Sequence, residues 1–213
     1  MLSKILCFTR ASGEISKSYN RYLIHSSYAN LICGFESIVS SYSMLDASGV
    51  GKENIELASI SLNLLGKDIL GQIISVPFIN KISKYGDKNP IKYIRNNVIL
   101  FELSNLLECL TPLFIPSLFI PMATIGNIGK NIGFTGFASF NANIISKLSI
   151  NKDNITEIYS KISMINSLSY SLGMGIGLFF VTFVTKLVYR LILLPISGIF
   201  RYIFIHKSID NLI

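Results

Sequence analysis

"GNIGKNIGFTGFAS" (residues 126–139) carries glycines at 126, 129, 133 and 136. Steps of three, four and three put Gly126, Gly129, Gly133 and Gly136 on one face of an α-helix, which is not the spacing of a phosphate-binding loop. An interior glycine costs a helix about 1 kcal/mol relative to alanine, so a stripe of four needs a compensating contact. In lipid, apolar side chains gain little by meeting one another, and helices associate through close backbone approach at small residues. Ser171, Gly173, Gly175 and Gly177 in "SLGMGIG" (171–177) form a second small-residue surface. The simplest account has these two faces pack within the domain; the alternative has one of them dock a partner subunit or a lipid.

Composition points to the same setting. Of 213 residues, 50% are hydrophobic and only 15% are charged, and the mean hydropathy is +0.52. A soluble domain carries nearer a quarter of charged residues, so a membrane is the expected solvent; a soluble helical protein covered by partner subunits is the rival. The net charge is +7 and the sequence pI about 9.3. Basic residues such as Lys81, Lys84, Lys88, Lys92 and Arg95 stand at the ends of apolar stretches. That placement suits anionic phospholipid headgroups and not nucleic acid. The first 24 residues hold Lys4, Arg10, Lys17 and Arg21, five serines or threonines and one acid, Glu14. They resemble an organellar transit sequence, mitochondrial before plastid, with a surface-lying basic segment as the alternative. Cys7, Cys33 and Cys109 have no metal-ligand spacing and are expected to be reduced.

The pattern predicts an all-α, multi-pass transmembrane bundle of about five to six helices. The first spans 19–45 and closes where Gly49 and Gly51 allow a turn; the second covers 53–82. The third opens with Asn89 as cap and Pro90 in its first turn. Prolines 112, 116 and 121 break the apolar run 109–129, and a fourth helix follows over 118–147. The fifth starts at "NITE", with Asn154 as cap and Glu157 as its box partner, and contains the charge-free stretch 162–185. A basic-aromatic sixth helix, broken by Pro195, spans the membrane or lies in its interface. The segments are 1–18, basic and a candidate targeting sequence; 19–185, the helical membrane domain; and 186–213, the C-terminal helix.

Lys67, Asp68, Glu102, Glu108 and Lys130 interrupt apolar stretches. One charge at mid-membrane costs roughly 2.5–3.5 kcal/mol on insertion scales, so such residues pair or line a polar site. The five are read either as one buried cluster or as side chains that snorkel to headgroups. Within the cluster reading, Lys130 is expected to lie at salt-bridge distance from Glu102 or Glu108. His25 and His206 are read as isolated polar or interfacial residues. No nucleophile–base arrangement, metal-ligand motif or phosphate loop is present, so no catalytic residue, cofactor or metal is expected.

These same residues carry a family resemblance. "NLLGKDILGQI" (63–73) is similar to the N-W-[VI]-[LF]-[KR]-D-G-x-G-x-[LI] segment of the root UVB sensitive family. "FELSNLLECLTPLFIP" (101–116) resembles its acid-x5-L-E-L-L-[TS]-P-L-F-P segment, "GNIGKNIG" (126–133) its G-N-x-[AG]-K-x-[IM], and "NITEIYSK" (154–161) its N-x-x-[DE]-[IV]-x-x-K. Leu64 stands where the family has Trp, Ile69 replaces a glycine, and "ASFNAN" (138–143) replaces A-T-R. The resemblance implies a plastid or mitochondrial membrane protein, linked in plants to seedling development and vitamin B6 balance, with no accepted reaction. It also implies a reduced member without the family's longer C-terminal region. The expected function is a non-catalytic structural or assembly subunit of a mitochondrial inner-membrane complex, such as a respiratory complex or ATP synthase. A transporter or small-ligand carrier built on the five charges is the alternative.

Overall fold

The structure is a computed structural model that describes residues 14–49, 57–86, 89–150 and 153–210. Cys7, Gly51, Glu53 and most of the basic N-terminal segment lie outside the described residues. Among the described residues the chain is all-helical: α1 (Tyr19–Ser48), α2 (Leu57–Gly86), α3 (Pro90–Leu110), α4 (Phe119–Leu148), α5 (Ile155–Phe183) and α6 (Leu187–Ile209). Two 3-10 turns, Thr111–Leu113 and Pro116–Leu118, join α3 to α4. The proline-rich run therefore forms a corner, as its missing N–H groups require.

Helix ends follow local chemistry only in part. Gly49 closes α1 at φ 85°, with its N–H donating to the carbonyls of Leu45 and Asp46, a left-handed cap that glycine adopts without a Cβ clash. Pro90 does stand in the first turn of α3, but Asn89 makes no side-chain cap bond. Asn154 likewise stands at the cap position of α5 without a side-chain cap bond; its Oδ1 accepts from Ser149 Oγ at 2.6 Å. The expectation that Pro195 breaks the last helix is also corrected. α6 runs uninterrupted through Pro195, as α2 does through Pro77. One lost backbone bond per helix is tolerated when packing against neighbouring helices holds the rest of the segment.

α1 is the central element, packed on α5, α6 and α3; α3 packs on α4, and α2 leans mainly on α4. A large apolar cluster joins the first turns of α1, α3 and α5 to the last turns of α4 and α6, through Tyr22, Ile94, Leu148, Ile158 and Ile205. A smaller one, Met44, Phe119 and Ala123 with Leu64 against it, joins the end of α1 to the starts of α4 and α2. The six helices thus alternate in direction, as short connections dictate. One end of the bundle is marked by Tyr19 and the other by Ser48.

Both glycine faces pack inside the domain, as the sequence suggests, though each on a different helix and not on the other. Gly126, Gly129, Gly133 and Gly136 all lie against α3. A Cβ at Gly126 would come within 2.8 Å of Glu108 Cγ, and one at Gly133 within 2.8 Å of the Asn97 carbonyl oxygen. Gly129 faces Ser104 and Gly136 faces the Asn97 amide. Gly173 and Gly177 lie against α1, at the backbone of Leu31 and Phe35, and Gly34 answers from α1 against the backbone of Tyr170. Ser171 and Gly175 are exposed, and a Cβ at Gly175 would meet nothing within 4 Å. Helical periodicity explains the split: 171 and 175 share a face turned away from the one that holds 173 and 177.

Candidate functional site: a ladder of buried charges along the central helix

Ser26, Ala29, Cys33, Glu36, Ser40 and Ser43 recur at alternating steps of three and four along α1, and all are buried. From Glu36 onward this seam meets cations in three successive layers, over about 15 Å of helix from Glu36 to Asp46.

The layer at mid-height joins α1, α3 and α6. Arg201 pairs with Glu102 and lies 3.8 Å from Glu36. Ser197 Oγ donates to Glu36 Oε1 at 2.7 Å, and the guanidinium stacks 4.3 Å from the centre of the Phe101 ring. Glu36 is fully buried, whereas the Glu102 side chain is 18% exposed.

One turn further along α1, Lys130 of α4 pairs with Glu108 of α3 and donates to Ser40 Oγ at 2.9 Å. Glu108 has 1% of its side chain exposed, so an isolated carboxylate there would be costly. In the third layer Arg190 of α6 donates to Ser43 Oγ at 2.9 Å, the Thr185 carbonyl at 2.9 Å and Asp46 Oδ2 at 3.2 Å. Tyr42 stacks on its guanidinium at 4.9 Å. The Ser43 hydroxyl and the Cys109 thiol are 3.3 Å apart; Cys33 and Cys109 are free thiols.

The five sequence-selected charges therefore do not form one cluster. Glu108 and Lys130 pair with each other, Glu102 joins Arg201, and Lys67 pairs with its neighbour Asp68 at 2.5 Å. Asp68 Oδ1 accepts from Asn127 Nδ2 at 3.1 Å, and Gly71 gives the Asn127 side chain room. Segments 63–73 and 126–133 thus meet across α2 and α4, and 101–116 meets 126–133 across α3 and α4. Segment 154–161 stands apart near the Tyr19 end, where Glu157 pairs with Lys161 at 2.9 Å. His206 is not isolated: Asp210 lies one turn on, its Oδ1 2.5 Å from Nδ1, and Arg95 also contacts the ring. His25 packs against the Phe204 ring at 6.0 Å.

Glu36, Asp46, Arg190 and Arg201 were missed by the sequence reading. Their signal is periodic: Arg190 and Arg201 are eleven residues apart, close to three helical turns, on the stripe that also holds Leu194, Gly198, Ile205 and Ser208. Basic residues on an aromatic helix invite an interfacial reading, yet both arginines face inward.

Three comparisons bear on identity. Residues 13–212 match the family described as "Vitamin B6 photo-protection and homoeostasis domain". The chain is 25% identical to protein root UVB sensitive 4 of Arabidopsis thaliana over 149 residues, 70% of this chain and 28% of that protein. It is 22% identical to protein root UVB sensitive 6 of the same plant over 167 residues, 78% of this chain and 33% of that protein. RUS family member 1 of Dictyostelium discoideum is 24% identical over 148 residues, 70% of this chain and 28% of that protein. The chain thus spans about a third or less of the length of these curated relatives. No solved structure matches it. With the family domain covering nearly all of its length, the chain belongs to the root UVB sensitive family.

Proposed function

We propose that the chain is a multi-pass, non-catalytic membrane protein of an organelle, the mitochondrial inner membrane before a plastid membrane, that serves as a structural or assembly subunit of a larger complex. The observation that carries the membrane reading is an inverted distribution of chemistry. Glu36, Lys67, Glu108, Arg190 and Arg201 are buried, while Leu172, Phe179, Phe183, Ile192, Ile199 and similar side chains are exposed on the outside. Water would favour the reverse arrangement. Ser61–Lys81, Ile155–Phe183 and Leu187–Ile209 are long and apolar enough to cross a bilayer.

Charge at the helix ends gives an orientation. Alternation brings Lys17, Arg21, Lys81, Lys92, Arg95, Lys147, Lys161 and Lys207 to the Tyr19 end. Such a basic rim belongs on the side from which the helices insert, the matrix or stromal side, facing anionic headgroups. Gentle solubilisation of native membranes followed by mass spectrometry should recover the chain in a large assembly; recovery as a free monomer would remove the subunit reading. Residues 1–24 fused to a reporter should send it to an organelle, and a cytosolic reporter would remove the organellar one.

A second reading, a small-ligand carrier, is favoured by a cleft of about 530 Å³ between α4 and α5. Asn30, Asn141, Asn166, Ser163, Ser167 and Tyr170 line it on an otherwise apolar surface. At its inner end a cavity of about 50 Å³ is lined by Asn97 and Arg201, whose Nδ2 and Nε have no hydrogen-bond partner. The family description names vitamin B6, so pyridoxine and pyridoxal are the first ligands to titrate. Saturable binding lost in Asn166→Leu would favour the carrier, and no binding would leave the subunit.

A further inference from the structure

The α4–α5 cleft offers hydrogen-bond donors to whatever enters it, and the ligand class inferred from them rests on the carrier reading of that cleft. Tyr22 Oη donates to Asn141 Oδ1 at 2.5 Å, and Ser26 Oγ donates to Asn166 Oδ1 at 3.1 Å. α1 thus occupies both amide oxygens and leaves the amide N–H groups for the cleft. None of its described lining residues is charged. Asn30, Phe134, Phe137 and Tyr170 line both the cleft and the inner cavity, so the two join at an aromatic neck.

Two donors end at the cavity with nothing to accept from them. Asn97 is 3% exposed and Arg201 7%, and Asn97 Nδ2 and Arg201 Nε have no hydrogen-bond partner. A buried donor left unmatched is costly, so the cavity calls for an acceptor atom. At about 50 Å³ it admits one small group. Charge narrows the choice further. Arg201 already pairs with Glu102, and Glu36 lies 3.8 Å away, so no positive charge is left over to hold a carboxylate. An uncharged acceptor, a carbonyl oxygen, meets both donors without adding a charge.

We propose that the inner cavity is a carbonyl subsite and that the cleft takes an uncharged, flat ligand. The carbonyl oxygen accepts from Asn97 Nδ2 and Arg201 Nε, and the ring lies at the neck formed by Phe134, Phe137 and Tyr170. A polar group at the far side of the ring accepts from Asn141 or Asn166.

The test uses phenols of one shape. 4-Hydroxyacetophenone, 4-isopropylphenol and 4-hydroxybenzoate carry a ketone, a hydrocarbon and a carboxylate on the same ring. Their dissociation constants are read by ligand-detected NMR on the full chain in nonionic detergent, against free ligand and a protein-free detergent blank. The ketone should bind about tenfold more tightly than either of the others. Asn97→Ala should weaken the ketone about tenfold and leave 4-isopropylphenol within about twofold. Cys33→Met, which fills the cavity from α1 and leaves both donors in place, should remove the ketone's advantage. It carries the test if Asn97→Ala fails to fold. Equal binding of ketone and hydrocarbon, tighter binding of the carboxylate, or undiminished ketone binding in a folded variant overturns the carbonyl subsite. If that binding is still lost in Asn166→Leu, the cleft remains a ligand site and the carrier reading stands. No binding of the ketone also overturns the subsite and leaves water to meet the two donors; the pyridoxine and pyridoxal titration then decides the carrier reading separately.

Discussion

The two ends of α1 are held by different chemistry. Toward Tyr19, α1 enters a closed apolar cluster with Ile94, Ile144, Leu148, Ile158, Ile162 and Ile205. From Glu36 to Asp46 the same helix meets Arg201, Lys130 and Arg190 in succession. Apolar burial stabilises without specifying much, because any neighbour of suitable volume serves. A buried ion pair contributes little net stability but penalises every arrangement that separates it. The Tyr19 end therefore supplies cohesion, and the ladder fixes which faces of α3, α4 and α6 turn toward α1. In a bilayer that distinction sharpens, since the hydrophobic term between helices is weak and a misplaced charge is expensive.

The comparison is most easily broken at Lys130. Lys130→Met should leave Glu108 buried and unpaired and destabilise by about 3–5 kcal/mol, read as loss of thermal stability in detergent. Lys130→Met with Glu108→Gln should recover much of that loss. A double variant as damaged as the single one would show that the pair supplies cohesion and not register.

At the other end, Leu148→Ala or Ile158→Ala should cost about 2–5 kcal/mol through lost contacts and cavities. Neutralising a neighbouring charge should rescue neither, because packing, not charge, is lost. Close approach by glycine should matter in both halves. Gly173→Leu and Gly133→Leu should each cost about 1–3 kcal/mol or more by forcing α5 from α1 and α4 from α3. Wild-type melting of either would mean that the face meets only lipid. The smallest effects sharpen the contrast. Gly175→Ala points into open space and should stabilise α5 by about 0.5–1 kcal/mol. Glu102→Gln should cost less than Lys130→Met, because Glu36 remains 3.8 Å from Arg201.

The approximate limits of the described helices and the Pro-rich corner could be read from the chain, because hydropathy, glycine and proline act through the backbone within a few residues. The pairing of Lys130 with Glu108 was also within reach. A short corner makes α3 and α4 antiparallel, and the glycine stripe on α4 indicates a face brought close to another helix. Asn89 and Asn154 do mark where α3 and α5 begin, but neither side chain makes the cap hydrogen bond. The Asn154 side-chain oxygen accepts from Ser149 in the preceding link.

The sequence by itself determined that this chain is helical, rich in close-packing glycine faces and furnished with charges that an apolar setting must neutralise. The tertiary structure alone decided which partners those charges take. Glu102 goes to Arg201, 99 residues away, and Gly173 goes to α1, not to the other glycine stripe. Periodicity assigns a residue to a face, but facing is a property of two helices. Which two come together depends on the whole set of packing and charge terms being satisfied at once.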